Sequence, residues 1–355
     1  MNNYFIRKIS SKKNKKYTHK YYDKNNNIIT YNSIKEYLEG FYIPPAYDDV
    51  QINKNKKSKI LAIGYDDKDR PQYIYNKKHT EKQSKKKFEK LIEFGYNYKK
   101  IYNQINKDLN SKENSKNKEI AMILKIIIDC NFRIGNDKYT KDNNSYGVST
   151  LEKKHILERN GNIIINFIGK KGVENECIVK DKKVVKSLKN KRSKKKKRIF
   201  SYKKNNKDYN IQSKDVNKYL KDLGDFTTKN FRTWNANLEL IKELLYFDED
   251  SKYVMKKCIE NVAFKLHHTS SICKKNYLNP ELMKMFLEQN DMFYRHFKGT
   301  SKDRICDEFL TFLKDTYHRD IEEITEDELC EDIEGMTINE KCSWHDKKFK
   351  FECKP

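Results

Sequence analysis

His267-His268-Thr269-Ser270-Ser271-Ile272-Cys273-Lys274-Lys275-Asn276-Tyr277 places an imidazole nine residues ahead of a tyrosine, with mostly small polar and basic residues between them. Further back, Lys229-Asn230-Phe231-Arg232-Thr233-Trp234 puts an arginine at the start of a helical pattern over Thr228–Leu245. Phe167-Ile168-Gly169-Lys170-Lys171-Gly172 puts two lysines at a hairpin tip, where a period-two alternation ends in glycines. Asn131-Phe132-Arg133-Ile134-Gly135-Asn136-Asp137-Lys138-Tyr139 puts another arginine just past a strongly apolar helix. Each segment alone is ordinary: an arginine near a helix end is usually a surface residue, and a tyrosine among apolar neighbours is usually core. Together they supply guanidinium, ammonium, imidazole and phenol groups.

The surrounding composition says what such a set could act on. The chain has 355 residues, enough for two domains, and a formal net charge of +25. From Lys302 onward there are 9 basic and 16 acidic residues, a net of −7, so residues 1–301 carry +32. A body that basic calls for a polyanionic partner, and nucleic acid is the obvious one. Abundant Lys, Asn, Ile and Tyr with only 11 Gly and 5 Pro also fit an A+T-rich coding bias, so charge alone names no reaction. Apolar residues make up 36%, but 12% of the chain is aromatic, enough bulk for a core. The longest apolar run, Ile120–Ile128, is broken by Lys125, and the first residues lack a signal-peptide stretch. A soluble intracellular protein is expected. The eight cysteines form no Cys-x-x-Cys pair, and reduced thiols are the expected state. Cys342, His345 and Cys353 are the one remote metal candidate, at a spacing that matches no common site.

Residues 1–78 read as a β-rich domain. Tyr4–Ile9, Tyr17–Tyr22 and Ile28–Tyr31 are strand-like, Ser33 caps a short helix Ile34–Phe41, and Lys59–Gly64 with Gln72–Tyr75 makes a hairpin. From Glu81 the spacing is helical, through Phe88, Leu91, Ile92, Phe94, Tyr98, Ile101 and Ile105. Residues 79–300 form a mainly helical domain with one small sheet. Further helices are expected at Asn117–Phe132, Ser213–Leu223, Lys252–His267 and Pro280–Gln289. Lys186–Arg198 reads as a basic loop or phosphate-contacting arm, more weakly as a nuclear-import signal. Residues 301–355 are an acidic extension, whose Phe309, Leu310, Phe312 and Leu313 suggest a helix packed on the body rather than a tail over bound DNA. The fold class is α+β.

The chain lacks glycine-rich phosphate cradles, an HExxH motif and an obvious carboxylate cluster for a Mg²⁺ pair. Chemistry on a phosphodiester here must use cations and a side-chain nucleophile. Guanidinium and imidazole donors can stabilise the anionic transition state, and the departing alkoxide needs a proton from a positioned acid.

The order Arg133…Lys170…Lys229-x-x-Arg232…His268…Tyr277 resembles the type IB DNA topoisomerases, in the compact form of poxviruses, other large DNA viruses and some bacteria. Ile43-Pro-Pro-Ala-Tyr-Asp-Asp-Val50 and Gly64-Tyr-Asp-Asp-Lys-Asp-Arg-Pro-Gln-Tyr-Ile-Tyr75 resemble that family's N-terminal domain, so the likeness covers roughly residues 20–290. It implies a clamp around duplex DNA and relaxation of supercoils through a 3′-phosphotyrosyl intermediate, without ATP, metal or other cofactor. Tyr277 would be the nucleophile, Arg133, Arg232 and His268 would bind the phosphate oxygens, and Lys170 would protonate the leaving 5′ oxygen. Lys170 is chosen over its neighbour Lys171 because it follows Gly169 as in the family motif, and His268 over His267 by its spacing to Tyr277. DNA contacts are expected at Arg70, Gln72, Tyr73 and Tyr75, with half-buried strand packing the plainer role for the tyrosines. Further contacts are expected at Asn136 and Tyr139, where Asn136 stands in place of the usual lysine. Asparagine suits adenine, so the family's pyrimidine-site preference is expected to change or relax. The rivals are a tyrosine recombinase, which typically has His-x-x-Arg where this chain reads Lys229-Asn-Phe-Arg232, and a DNA-packaging protein without catalysis. The partner is duplex DNA, the protein a monomer with no membrane role. If the source is viral, the site of action is the virion and the cytoplasmic replication site, with the nucleus left open.

Overall fold

The computed structural model describes residues 3–14, 16–111, 115–193, 197–247, 251–299 and 304–317, and the chain divides into two compact units, 1–87 and 88–355. In the first, the strands β1 (Tyr4–Lys13), β2 (Lys16–Tyr22) and β3 (Ile28–Ile29) precede a single turn of helix, α1 (Lys35–Leu38). Then come β4 (Asp48–Asn53), β5 (Ile60–Tyr65) and β6 (Pro71–Tyr75). They make one antiparallel sheet in the order β3-β2-β1-β4-β5-β6. Phe5, Ile34, Ile43, Val50, Ile52 and Ala62 form its core.

Three sequence expectations change here. Ser33 does not cap α1; the cap position is Ile34 and the Ser33 hydroxyl pairs with Thr30. α1 is the one helix among the described residues ahead of β6, and it is shorter than the expected Ile34–Phe41. β4 was missed, although its buried Val50 and Ile52 alternate as a half-buried strand requires. The Ile43–Val50 loop is held from behind by Arg7, a buried side chain whose Nη2 donates to the carbonyls of Pro44 (2.7 Å) and Tyr47 (3.0 Å). A proline-rich loop offers few N–H donors for a ladder. A guanidinium can instead collect its carbonyls from one side.

α2 (Lys77–Leu109) buries Phe88, Leu91, Ile92, Phe94, Ile101 and Ile105 from its second part, and α3 (Lys116–Cys130) is buried along most of its length. α4 (Asp137–Asn143) follows. The strands β7 (Ile156–Arg159), β8 (Asn162–Ile168) and β9 (Glu174–Ile178) form an antiparallel sheet, and α5 (Lys182–Arg192) comes next. β10 (Ser201–Lys204) and β11 (Lys207–Asn210) make a small ribbon. The remaining helices are α6 (Ser213–Lys221), α7 (Thr228–Leu244), α8 (Lys252–Lys265), α9 (Ser270–Asn276), α10 (Pro280–Glu288), α11 (Asn290–Phe297) and α12 (Ile305–Tyr317). α7 is the central post, with Phe231, Trp234, Ala236, Leu240, Ile241 and Leu244 all buried. Phe94 of α2 packs edge-on against Phe231, with ring centres 4.9 Å apart.

The basic run from Lys186 is not a loop at its start: α5 continues to Arg192 and buries Val184 and Leu188, four residues apart on one face. Arg198 at its far end is partly buried, donating to Asp137 (2.7 Å) and to the Ser149 carbonyl (2.7 Å). α12 packs on the body as expected, burying Phe309, Phe312 and Leu313. The acidic run after it and the Cys342, His345 and Cys353 group lie outside the described residues. No helix among the described residues is long and apolar enough to cross a membrane.

The expectation of uniformly reduced thiols is overturned at one pair. Cys130, the last residue of α3, is bridged to Cys177 in β9, with Cα atoms 5.8 Å apart. The two are 47 residues apart in sequence, so no local spacing announces the pair; the fold brings them together. A bridge closing a loop of that length stabilises by up to about 4 kcal/mol, chiefly by restricting the unfolded chain. Cys177→Ser should therefore lower the unfolding free energy in non-reducing denaturant titrations by about 2–4 kcal/mol. Equal stability of parent and variant would mean that the bridge does not form in solution.

Candidate active site

Arg133 lies just beyond the end of α3. Asn131 ends that helix in the left-handed conformation, and Asn235 of α7 donates both to its side-chain oxygen and to the Ile128 carbonyl, each at 3.0 Å. Phe132 is fully buried against Phe167 and His267. The residues after it are pinned from the other side: Val148 N–H donates to the Arg133 carbonyl (2.9 Å) and Ser149 N–H to that of Ile134 (2.7 Å). Gly147 makes this possible, because a Cβ there would sit 2.4 Å from the Gly135 nitrogen.

Arg232 sits in the first turns of α7 and is 4% exposed. Its Nη2 donates to the Leu266 carbonyl (3.0 Å) and to His268 Nε2 (2.7 Å). Its Nε and Nη1 are buried and make no well-formed hydrogen bond among the described residues, although the guanidinium interacts with the Tyr277 hydroxyl. Burial presses its proton affinity down, yet a guanidinium stays charged at any working pH. A buried cation with two such donors is costly to fold, and an anionic ligand is the natural complement.

His267 takes a left-handed φ of 55° just past α8, which turns the chain so that His268 faces the arginines. His267 itself packs on Phe132 and sets its Nε2 3.2 Å from the Cys130 carbonyl, the packing role expected for it. His268 lies 3.3 Å from Arg133 Nη2 as well as against Arg232. Burial first, then Arg232, Arg133, His267 and Lys170, push it down to about 3, so the ring is neutral. With Nε2 accepting from Arg232, the proton resides on Nδ1 in the ligand-free site.

Tyr277 is 6% exposed and closes α9. Its ring lies 5.0 Å from that of His268 and 5.3 Å from the Arg232 guanidinium carbon. Burial would raise its pKa, but Arg232 and then Arg133 outweigh it and hold the phenol below its ordinary value.

Lys170 opens a 3₁₀ turn between β8 and β9. It shares a narrow cleft with Arg133 and Arg232, also lined by Tyr146, Phe167, Gly169, Val173, Asn175, Leu266 and His267. Lys171, in the left-handed conformation at the turn, does not line that cleft. No carboxylate lines it among the described residues. His268 and Tyr277 do not line the cleft either; both adjoin it through Arg232. Its cationic donors suit charge that builds on phosphate oxygens.

Residues 76–303 match the family described as "Eukaryotic DNA topoisomerase I, catalytic core", and residues 18–66 match "Bacterial DNA topoisomerase IB, N-terminal domain". The chain belongs to the type IB DNA topoisomerases. It is 32% identical to the DNA topoisomerase 1B of Acanthamoeba polyphaga mimivirus over 317 residues, 85% of this chain and 92% of the relative. The DNA topoisomerase 1B of vaccinia virus (strain Copenhagen) is 26% identical over 80% of this chain and 90% of its own length. The DNA topoisomerase 1 of rabbit fibroma virus is 24% identical over the same shares.

The residues expected to touch DNA in this topoisomerase have different surroundings. Tyr73 and Tyr75 lie on one face of β6, 48% and 45% exposed, with their rings stacked 6.2 Å apart. Asp66 receives Arg70 through two nitrogens (2.9 and 2.7 Å) and Gln72 through Nε2 (3.0 Å). Arg70 holds that carboxyl down at about 2. Asp66 was not singled out in the sequence, though an acid at a β-turn ahead of Arg and Gln was the available signal. Asn136 caps α4, its Oδ1 accepting from Lys138 N–H at 2.8 Å. That engages the oxygen a bidentate adenine contact needs. Tyr139 is 56% exposed, with Lys170 Nζ 5.9 Å from its ring centre.

Buried neutral histidines have a pH signature. His268 at about 3 and His155 at about 4 bind fewer protons folded than unfolded, where histidine titrates near about 6.5. Stability should therefore rise with pH from about 4 to 6.5, by at most about 1.4 kcal/mol per unit for each such group. Denaturation midpoints across that range, with His268→Gln flattening the slope, check this; an identical slope in the variant would place its titration elsewhere.

Proposed function

We propose that the cleft performs the nicking and resealing step of DNA relaxation, with Tyr277 as nucleophile. The observation that carries this reading is the buried Arg232, whose Nε and Nη1 lack a well-formed hydrogen bond and whose guanidinium carbon is 5.3 Å from the centre of the Tyr277 ring. A phosphodiester entering the cleft gives those donors the anion they lack. Arg133 binds a second region of the same oxygens, and His268, released from Arg232 as the phosphate takes that donor, turns an N–H toward it.

The Tyr277 oxygen then bonds to phosphorus as the bond to the 5′ oxygen breaks. Phenoxide is a far better leaving group than alkoxide, since a phenol titrates near about 10. Acid help at the 5′ oxygen therefore matters more than base help at tyrosine, and Lys170 supplies that proton. The phosphotyrosyl bond keeps the ester's energy, so the 5′ hydroxyl can attack it in turn and reseal the strand without ATP. Supercoils relax while the strand is open.

Arg70, Gln72, Tyr73, Tyr75, Asn136 and Tyr139 are proposed DNA contacts. The stacked tyrosines and the Asp66-braced pair suit a groove, and Tyr139 stands beside the proposed acid. The proposed domain limits are those read from the sequence: 1–78, 79–300 and 301–355. The enzyme acts as a monomer on duplex DNA, in the virion and at a cytoplasmic replication site if its source is viral like that of its relatives.

Lys170→Ala should slow single-turnover cleavage by about 10²–10⁴, the usual contribution of a general acid. A substrate with sulfur in place of the bridging 5′ oxygen leaves without protonation and should restore most of that rate. Lys171→Ala should cleave the ordinary substrate at near the parent rate. Rescue of Lys171→Ala, and not of Lys170→Ala, would exchange their roles.

A further inference from the structure

Tyr277 sits where a helix ends: its N–H and that of Leu278 still donate to the Cys273 carbonyl (3.0 and 3.3 Å), but no hydrogen bond of α9 takes up the Tyr277 carbonyl. A buried chain of amides does so. Asn237 of α7, 0% exposed, donates from Nδ2 to the Tyr277 carbonyl at 2.9 Å and to the Thr233 carbonyl at 2.7 Å. Its Oδ1 accepts the backbone N–H of Asn279 at 2.7 Å. That bond fixes which way the Asn237 amide faces, because a flip would set its NH₂ against an N–H.

Asn279, also 0% exposed, repeats the logic one step further out. Its Oδ1 accepts from the N–H groups of Glu281 (2.8 Å) and Leu282 (3.1 Å) and so caps α10. Its Nδ2 donates to the hydroxyl oxygen of Tyr317 at 3.1 Å. Tyr317 is the last residue of α12, 8% exposed and stacked on Phe88, and burial keeps its phenol protonated. α12 begins beyond residue 303, where the match to the family's catalytic core ends.

We infer that the Tyr317 hydroxyl is a positioning group for the nucleophile. It anchors the Asn279 side chain at the N-terminus of α10, next to the backbone N–H that Asn237 receives, and so, through Asn237, steadies the backbone at Tyr277. Without it, Asn279 Nδ2 loses that acceptor in a buried site, and because the amide is kept from flipping by the N–H groups it caps, the segment at Asn279 shifts to relieve the loss. The loss is then felt at the Tyr277 backbone, and small displacements of a reacting group are expensive in rate. Tyr317 touches neither the substrate nor any of the five side chains at the cleft, so its effect must pass through this chain.

The inference rests on Tyr277 being the nucleophile, and the test separates the two. In the full chain, Tyr277→Phe is assayed for relaxation first; residual activity would overturn the nucleophile itself. Tyr317→Phe keeps the ring and removes only the oxygen. It should slow single-turnover cleavage and resealing alike, by about 10-fold or more, with duplex affinity unchanged. The 5′-sulfur substrate, which rescues a missing acid, should leave that deficit in place. Asn279→Ala combined with Tyr317→Phe should be no slower than Asn279→Ala alone, since both cut the same chain. Parent-like rates for Tyr317→Phe, or a deficit that vanishes on cooling together with a lowered melting temperature, would overturn the proposal and leave Tyr317 a packing residue.

Discussion

Arg232 is a cation withdrawn from water with part of its hydrogen-bonding capacity unused. A fold tolerates this only where an absent anion repays it or where the rest of the structure over-determines the position. The second condition is visible. The helix that carries Arg232 is packed along most of its length, with aromatic and aliphatic side chains buried on several faces. The Leu266 carbonyl and His268 hold one guanidinium nitrogen, and Arg232 lines the cleft.

Other features of the site follow from that fixed charge. Together with burial it keeps His268 neutral, it lowers the pKa of the Tyr277 phenol, and among the described residues no carboxylate lines the cationic cleft. Arg133 and Lys170 come from different elements, yet the segments around them are tied together. Phe132 and Phe167 pack edge to face, Val148 and Ser149 hold the Arg133 loop, and the Cys130–Cys177 bridge joins α3 to β9. These are the contacts that keep three mutually repelling cations within reach of one anion. Their repulsion falls when a phosphate arrives, so binding and preorganisation draw on the same electrostatics.

Much of this was legible in the sequence for identifiable reasons. The helices α2, α3 and α7 declare themselves by long apolar periods, and the ordered Arg, Lys, Arg, His and Tyr declare the site by residue type and spacing. Short elements fixed by tertiary contacts were not legible. α4 is seven polar residues made helical by the Asn136 cap and braced by Arg198 on Asp137. The helical start of the basic run was hidden by its lysines, although Val184 and Leu188 carried the signal. The disulfide and the Asn237–Asn279–Tyr317 chain join residues far apart in sequence, and single asparagines look the same in a cap, a relay or a loop. Side-chain amides acquire meaning only once the groups they face are known.

The central claim is that Arg232 is held for the substrate and not for the fold, and the melting temperature of Arg232→Met with no DNA present tests it most directly. Methionine fills similar volume without charge. If the account is right, the variant melts within about 4 °C of the parent or above it, a difference worth about 1 kcal/mol or less, while cleavage falls by orders of magnitude. A variant that melts far below the parent, and loses activity only in proportion to its unfolding, would contradict it and make Arg232 a structural residue.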